Sequence, residues 1–112
     1  MFLNDIYFGC GKILDYVGTK QFREFRANPM MVDAVIRNLE IIGEASKKIP
    51  VSLKQKHSGI EWKKIAGLRD ILIHEYFGID YDVLWDIVKH NVPKLKSQIS
   101  LILKADKDLF SK

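Results

Sequence analysis

Apolar residues recur along this chain at helical rather than alternating spacing, and that periodicity constrains the fold more than any other feature. The clearest instance opens at Asn28-Pro29. Asparagine is a good N-cap and proline suits the first helical position, so a helix starts there. Its stripe is Val32, Val35, Ile36, Leu39, Ile42, Gly43 and Ser46, and it ends before Pro50. The opposite face carries Asp33, Arg37, Glu40, Glu44, Lys47 and Lys48 and reads as solvated.

Extended along the chain, the same reading predicts five helices. The first spans Asp5 to Val17 on the stripe Ile6, Cys10, Ile13, Leu14 and Val17, with Asn4 as its cap. Gly9 and Gly11 each weaken it by about 1 kcal/mol relative to alanine. Either a second helix approaches closely there or the glycines are incidental. Gln21–Arg26 is a short helical bridge to the Asn28-Pro29 helix. Ser52 to His57 makes a third helix, closed by Ser58-Gly59. A fourth runs from Glu61 to Glu75 and is ended by Gly78. Asp80 caps a fifth that reaches Leu103 on Val83, Leu84, Ile87, Val88, Val92, Leu95, Ile99 and Ile102. Pro93 lies inside that pattern, so the helix should kink or restart near His90-Asn91. The tail from Asp106 is expected to fray. Three long helices plus short ones, joined by short connections, predict an all-α antiparallel helical bundle.

A chain of 112 residues suits one domain, residues 1–112, and 47% apolar residues suffice for a core. A domain of this size buries a modest share of its surface, so a dimer is compatible with it. The net charge of +4 permits nucleic-acid binding without demanding it. No run of five or six Lys/Arg occurs, so any basic surface must be assembled by folding. Cys10 is the only cysteine, which excludes an intrachain disulfide and a cysteine-based metal site. No signal peptide or transmembrane run is visible, so a cytoplasmic protein without membrane attachment is expected.

The chemistry concentrates in Arg69-Asp70-Ile71-Leu72-Ile73-His74-Glu75-Tyr76. On a continuous helix Ile65, Leu68, Leu72 and Tyr76 share the core face, and Lys63, Gly67, Asp70 and His74 share another. Histidine changes charge near neutral pH and suits acid–base work. Asp70, one turn earlier, is placed to accept an imidazole N–H. Arg69 keeps its charge and offers a planar fork for phosphate oxygens. Gly67 lets a second helix or an RNA backbone come close. Together they suit RNA self-cleavage: His74 deprotonates a 2′-hydroxyl or protonates the leaving oxygen, and Arg69 stabilises the charged phosphorane. No metal or cofactor is expected. The spacing alone equally fits a surface salt-bridge patch, or His74 donating to a helix C-terminal carbonyl. Arg69 and His74 also lie five residues apart, about 140° around an ideal helix. On that geometry a two-fold dimer along the Gly67 face would assemble the site better than one chain.

Arg69-x4-His74-x-Tyr76 resembles the signature of HepT-type toxins in the HEPN superfamily. The blocks Ala34–Ala45 and Trp62–Asp70 are similar to two blocks of that family, as are Tyr81 to Asp86 and the helix that follows. The resemblance implies a HEPN-like helical bundle that forms a homodimer. It implies a metal-independent ribonuclease site built from Arg69 and His74 across the dimer cleft and assisted by Asp70, with RNA, tRNA included, as substrate. It further implies a toxin–antitoxin module in which a minimal nucleotidyltransferase (MNT) antitoxin attaches AMP to Tyr76. Bulk and phosphate charge beside Arg69 and His74 would block the RNA phosphate. Without the family, Tyr76 reads as a core residue or a C-terminal staple. Arg37, Asn38, Glu44, Lys63 and Gly67 are candidates for lining the cleft.

Other chemistries are poorly supported. His57, His74 and His90 are too scattered for a metal site. His74-Glu75 begins like a zincin helix, but Gly78 stands where the second histidine belongs. Trp62 and Trp85 read as packing anchors, and no helix-turn-helix spacing suits DNA. The rival from another class is a non-catalytic helical dimer, an adaptor that binds a nucleotidyltransferase without cutting.

Overall fold

The computed structural model describes residues 2–68, 73–74 and 78–110, with residues 73–74 and 106–110 described through the backbone alone. The chain is all-α apart from one short ladder: α1 (Phe2–Val17), α2 (Phe22–Arg26), α3 (Pro29–Lys47), α4 (Val51–Lys56), α5 (Trp62–Ala66), β1 (Ile73–His74), β2 (Gly78–Ile79), α6 (Tyr81–Asp86), a π-helical turn (Ile87–Asn91) and α7 (Val92–Phe110). Three long helices carry the core, as the apolar period requires.

Local signals explain most boundaries. Asn28 Oδ1 accepts from the Met31 N–H at 3.1 Å, and Pro29 takes the first helical position. Asp80 Oδ1 accepts from the Val83 N–H at 3.1 Å and opens α6. Two ends differ from expectation. α1 already begins at Phe2, because Leu3 is buried and draws the first turn onto the core, so Asn4 is not its cap. α7 continues past Leu103 to Phe110, over residues that include no glycine or proline.

Pro93 has the expected effect on its surroundings. It lacks an N–H, and its ring would strike the carbonyl four residues earlier in a regular α-helix. The preceding turn widens to π geometry, with the Val92 N–H donating to the Ile87 carbonyl. The long last helix therefore restarts at Val92.

α1 and α3 run antiparallel, Lys48 Nζ lying 5.6 Å from the Phe2 ring at one end. Gly9 is a point of close approach. A Cβ there would stand 2.8 Å from Ile42 Cγ1 and 3.7 Å from the Asn38 carbonyl. Gly9 is thus required by packing, whereas among the described residues a Cβ on Gly11 would meet only Lys96 Nζ at 4.0 Å. Ile6, Cys10 and Ile13 of α1, Val35, Leu39 and Ile42 of α3, and Leu84, Val88 and Ile99 further on form one buried cluster. Cys10 sits inside it, as the stripe predicts. Burial pushes its thiol from the ordinary 9.0 up to about 12, partly offset by the Lys96 cation.

Both tryptophans anchor packing. Trp62 is buried and its Nε1–H donates to the His57 carbonyl at 3.1 Å. Trp85 stacks at 5.7 Å from Phe22 and 5.2 Å from Phe25, tying α2 to α6. Among the described residues no helix is long and apolar enough to cross a membrane.

Candidate active-site region

The region around Arg69–Tyr76 departs from the continuous helix expected over Glu61–Glu75. α5 stops at Ala66, and the Gly67 N–H donates to the Lys63 carbonyl at 3.1 Å. Glycine propagates a helix poorly. Beyond it the backbone of Ile73–His74 pairs antiparallel with Gly78–Ile79, in the register Ile73 with Ile79 and His74 with Gly78. Backbone held in a ladder cannot also continue a helix through Glu75. The angle of about 140° between Arg69 and His74 belongs to a continuous helix that His74, held in β1, is not part of.

Arg69, Asp70 and Tyr76 lie outside the described residues, as does Leu72. Of His74 the backbone alone is described, in β1. What the structure gives is the frame. Leu68 is buried at the start of the motif, Ile79 is half-buried at its return, and Asp80 caps α6 immediately afterwards.

The start of that frame is seated by a second close approach. A Cβ on Gly43 would stand 3.2 Å from the Ile65 carbonyl and 3.5 Å from that of Ala66. The glycine on α3 therefore lets the backbone at the end of α5 rest directly on the long helix. Beside this contact lies a cavity of about 300 Å³ between α3, α5 and the last helix, lined by Leu39, Ile42, Ile65, Leu68, Val92 and Leu95, with Glu61 and Lys64 also on its wall.

The five cleft-lining candidates do not share one surface within the chain. Arg37 and Glu44 are exposed on α3 and line a groove against Phe2 and Asp5 of α1. Lys63 is exposed on α5 and lines a different groove with α4. Asn38 is buried, and its Nδ2 donates to the Ala34 carbonyl at 2.8 Å within the same helix. That satisfies the amide internally. A signal existed, because Asn38 stands three residues after Val35 and four before Ile42, on the apolar stripe itself. Gly67 is half-buried, and among the described residues a Cβ there would touch only the carbonyls of Lys63 and Lys64, at 3.5 and 3.9 Å.

A family model described as "Ribonuclease HepT-like" matches residues 9–102, which contain the whole motif, both flanking blocks and most of the core. The chain belongs to the ribonuclease HepT-like family. Relatives agree in name and span nearly the full length. A protein of Caldanaerobacter subterraneus named "Putative RNase" is 41% identical over 106 residues, covering 95% of each chain. One of Methanocaldococcus jannaschii with the same designation is 46% identical over 101 residues, 90% of this chain and 93% of the relative. One of Thermococcus cleftensis named "Probable ribonuclease HepT" is 43% identical over 103 residues, 92% of this chain and 94% of the relative. No solved structure matches significantly. The HepT-like assignment agrees with the all-α bundle and gives the Arg69–Tyr76 segment its context.

Proposed function

We propose that the chain is a metal-independent endoribonuclease toxin, with Arg69 and His74 as its cleavage residues and Asp70 in support. The observation that carries this reading is the match over residues 9–102, within which Arg69-x4-His74-x-Tyr76 stands complete. The residue chemistry supports it. His74 removes the proton from a ribose 2′-hydroxyl or delivers one to the leaving 5′-oxygen. The 2′-oxygen bonds to phosphorus, the P–O5′ bond breaks, and a cyclic phosphate and a free 5′-hydroxyl result. Arg69 stabilises the charge that builds on the phosphoryl oxygens. Asp70 orients the imidazole.

The active species is a homodimer with the site at the cleft between copies, to which Arg37, Asn38, Glu44, Lys63 and Gly67 are candidate contributors. The motif resemblance supports the dimer. A partner nucleotidyltransferase silences the site by transferring AMP to Tyr76: the phenolic oxygen bonds to the α-phosphorus of ATP and pyrophosphate leaves. The added phosphate competes with RNA beside Arg69.

Two measurements test this. Purified protein should cut total RNA or tRNA in EDTA, and His74→Ala should not. Intact mass after co-expression with the neighbouring nucleotidyltransferase should rise by one adenylate, and Tyr76→Phe should abolish the increment. Equal inertness of wild type and His74→Ala, with Tyr76 unmodified by mass, would instead make the chain a non-catalytic adaptor.

A further inference from the structure

Residues 47–64 hold six lysines and one glutamate, a net +5 in a chain whose total is +4. The other ninety-four residues therefore sum to −1. The positive charge is a property of one segment, the one leading directly into the HepT-like motif.

Folding shapes part of this segment into a groove of about 430 Å³ between α4 and α5, lined by Lys54, Gln55, Ser58, Glu61, Lys63 and Lys64 among others. Glu61 Oε2 lies 3.1 Å from Lys64 Nζ, so that pair largely neutralises itself. Among the described residues Lys54 and Lys63 have no carboxylate within ion-pair distance. The two walls are tied together, because the Trp62 indole of α5 donates to the His57 carbonyl just after α4. The lysines thus line a braced concavity together with Val51 and Trp62, with the Gln55 amide and Ser58 hydroxyl as further hydrogen-bond groups.

We infer that this groove is a track for the RNA backbone, in which Lys54 and Lys63 contact phosphates of a single strand flanking the cleaved bond. The inference rests on the ribonuclease reading for the identity of the substrate. A polyanion fits better than an acidic peptide, because the positive charge extends along the whole segment beyond the groove. Contacts of this kind position the strand without reading its sequence.

The test is fluorescence anisotropy with a labelled oligouridylate of about twelve nucleotides, a length suited to single-strand grooves. Full-length His74→Ala protein is used so that nothing is cut, and salt is varied between about 50 and 200 mM. Each lost phosphate contact should flatten the log–log salt dependence by about 0.7 for a single strand. Lys54→Gln/Lys63→Gln should therefore lower the slope by about 1.4 and weaken binding several-fold, each single variant giving half the slope change. Lys20→Gln/Lys104→Gln, which removes equal charge at residues that do not line the groove, should leave the slope as it was. Helical circular dichroism confirms that each variant is folded. An unchanged slope in the Lys54/Lys63 variants, a control pair that shifts the slope as much, or no oligouridylate binding by the parent overturns the proposal. Binding is read in a chain that does not cut, so failure here leaves the ribonuclease reading standing. Absence of cleavage by wild type would sink that reading separately.

Discussion

A Cβ atom on Gly9 would stand 2.8 Å from Cγ1 of Ile42, at a point where both residues are buried and two long helices cross. Ile42 is fully buried, and its Cγ1 is the first atom beyond Cβ, so it cannot swing aside as a side-chain tip can. Gly9→Ala should destabilise the fold by about 1–3 kcal/mol through overpacking, even though alanine is the better helix former. Among the described residues Gly11→Ala meets the tip of a flexible lysine alone, and it should stabilise by about 0.5–1 kcal/mol. Paired urea melts read the opposite signs directly.

The core cysteine gives a pH dependence with a definite sign. The Cys10 thiol is held at about 12 in the fold, against an ordinary 9.0. Below pH 9 both folded and unfolded chains keep the proton, and its stabilisation is fully present. Above 9 the unfolded chain releases it first, so this contribution falls by about 1.4 kcal/mol per pH unit until the folded value is reached. Cys10→Ala should show a shallower loss of stability than wild type between pH 9 and 10.5. Thiol reagents should label wild-type Cys10 only on unfolding.

Gly43 couples the core to the end of α5, which leads into the proposed site. A larger side chain there meets backbone carbonyls of Ile65 and Ala66, which cannot swing aside as a side-chain tip can. Gly43→Val should cost about 1–3 kcal/mol of stability. It should also lower RNA cleavage at temperatures where the variant is still folded, because the end of α5 that leads into Arg69 must shift. Cleavage normalised to folded fraction checks this, and unchanged turnover would show the seat of α5 to be irrelevant to the site.

How far the sequence anticipates the fold follows from what periodicity can see. The stripes of α1, α3 and the last helix are recurrent and were readable. So were Asn28-Pro29, Asp80 and the break before Pro93, whose signals are local. The end of α5 was not. Lys63, Gly67, Asp70 and His74 keep helical spacing on paper, and no pattern in them registers that the backbone at Ile73–His74 pairs with Gly78–Ile79. The lysine groove was equally hidden, because Lys54 and Lys63 come from different helices and meet only through the Trp62–His57 brace. The family was readable from the motif with its flanking blocks, and the sequence supplies the residue types of the proposed site. Its geometry depends on tertiary pairing that no helical wheel represents.

The dimer arrangement is open to a complementation test. If Arg69 of one copy works with His74 of the other, Arg69→Ala and His74→Ala proteins are each inactive. Mixing and refolding them should then regenerate up to one intact site per mixed dimer. Recovery of a substantial fraction of wild-type cleavage supports the arrangement. No recovery, with mixed dimers verified by mass, places both residues of a site in one chain.

The most direct measurement is cleavage of total RNA and tRNA by the purified chain in excess EDTA, with wild type, Arg69→Ala and His74→Ala compared at equal folded concentration. The proposed chemistry predicts products ending in cyclic phosphate from wild type and a loss of at least about a hundredfold in each variant, the scale of acid–base and charge-stabilising contributions. Wild-type cleavage that vanishes in EDTA, or that persists unchanged in His74→Ala, would contradict it.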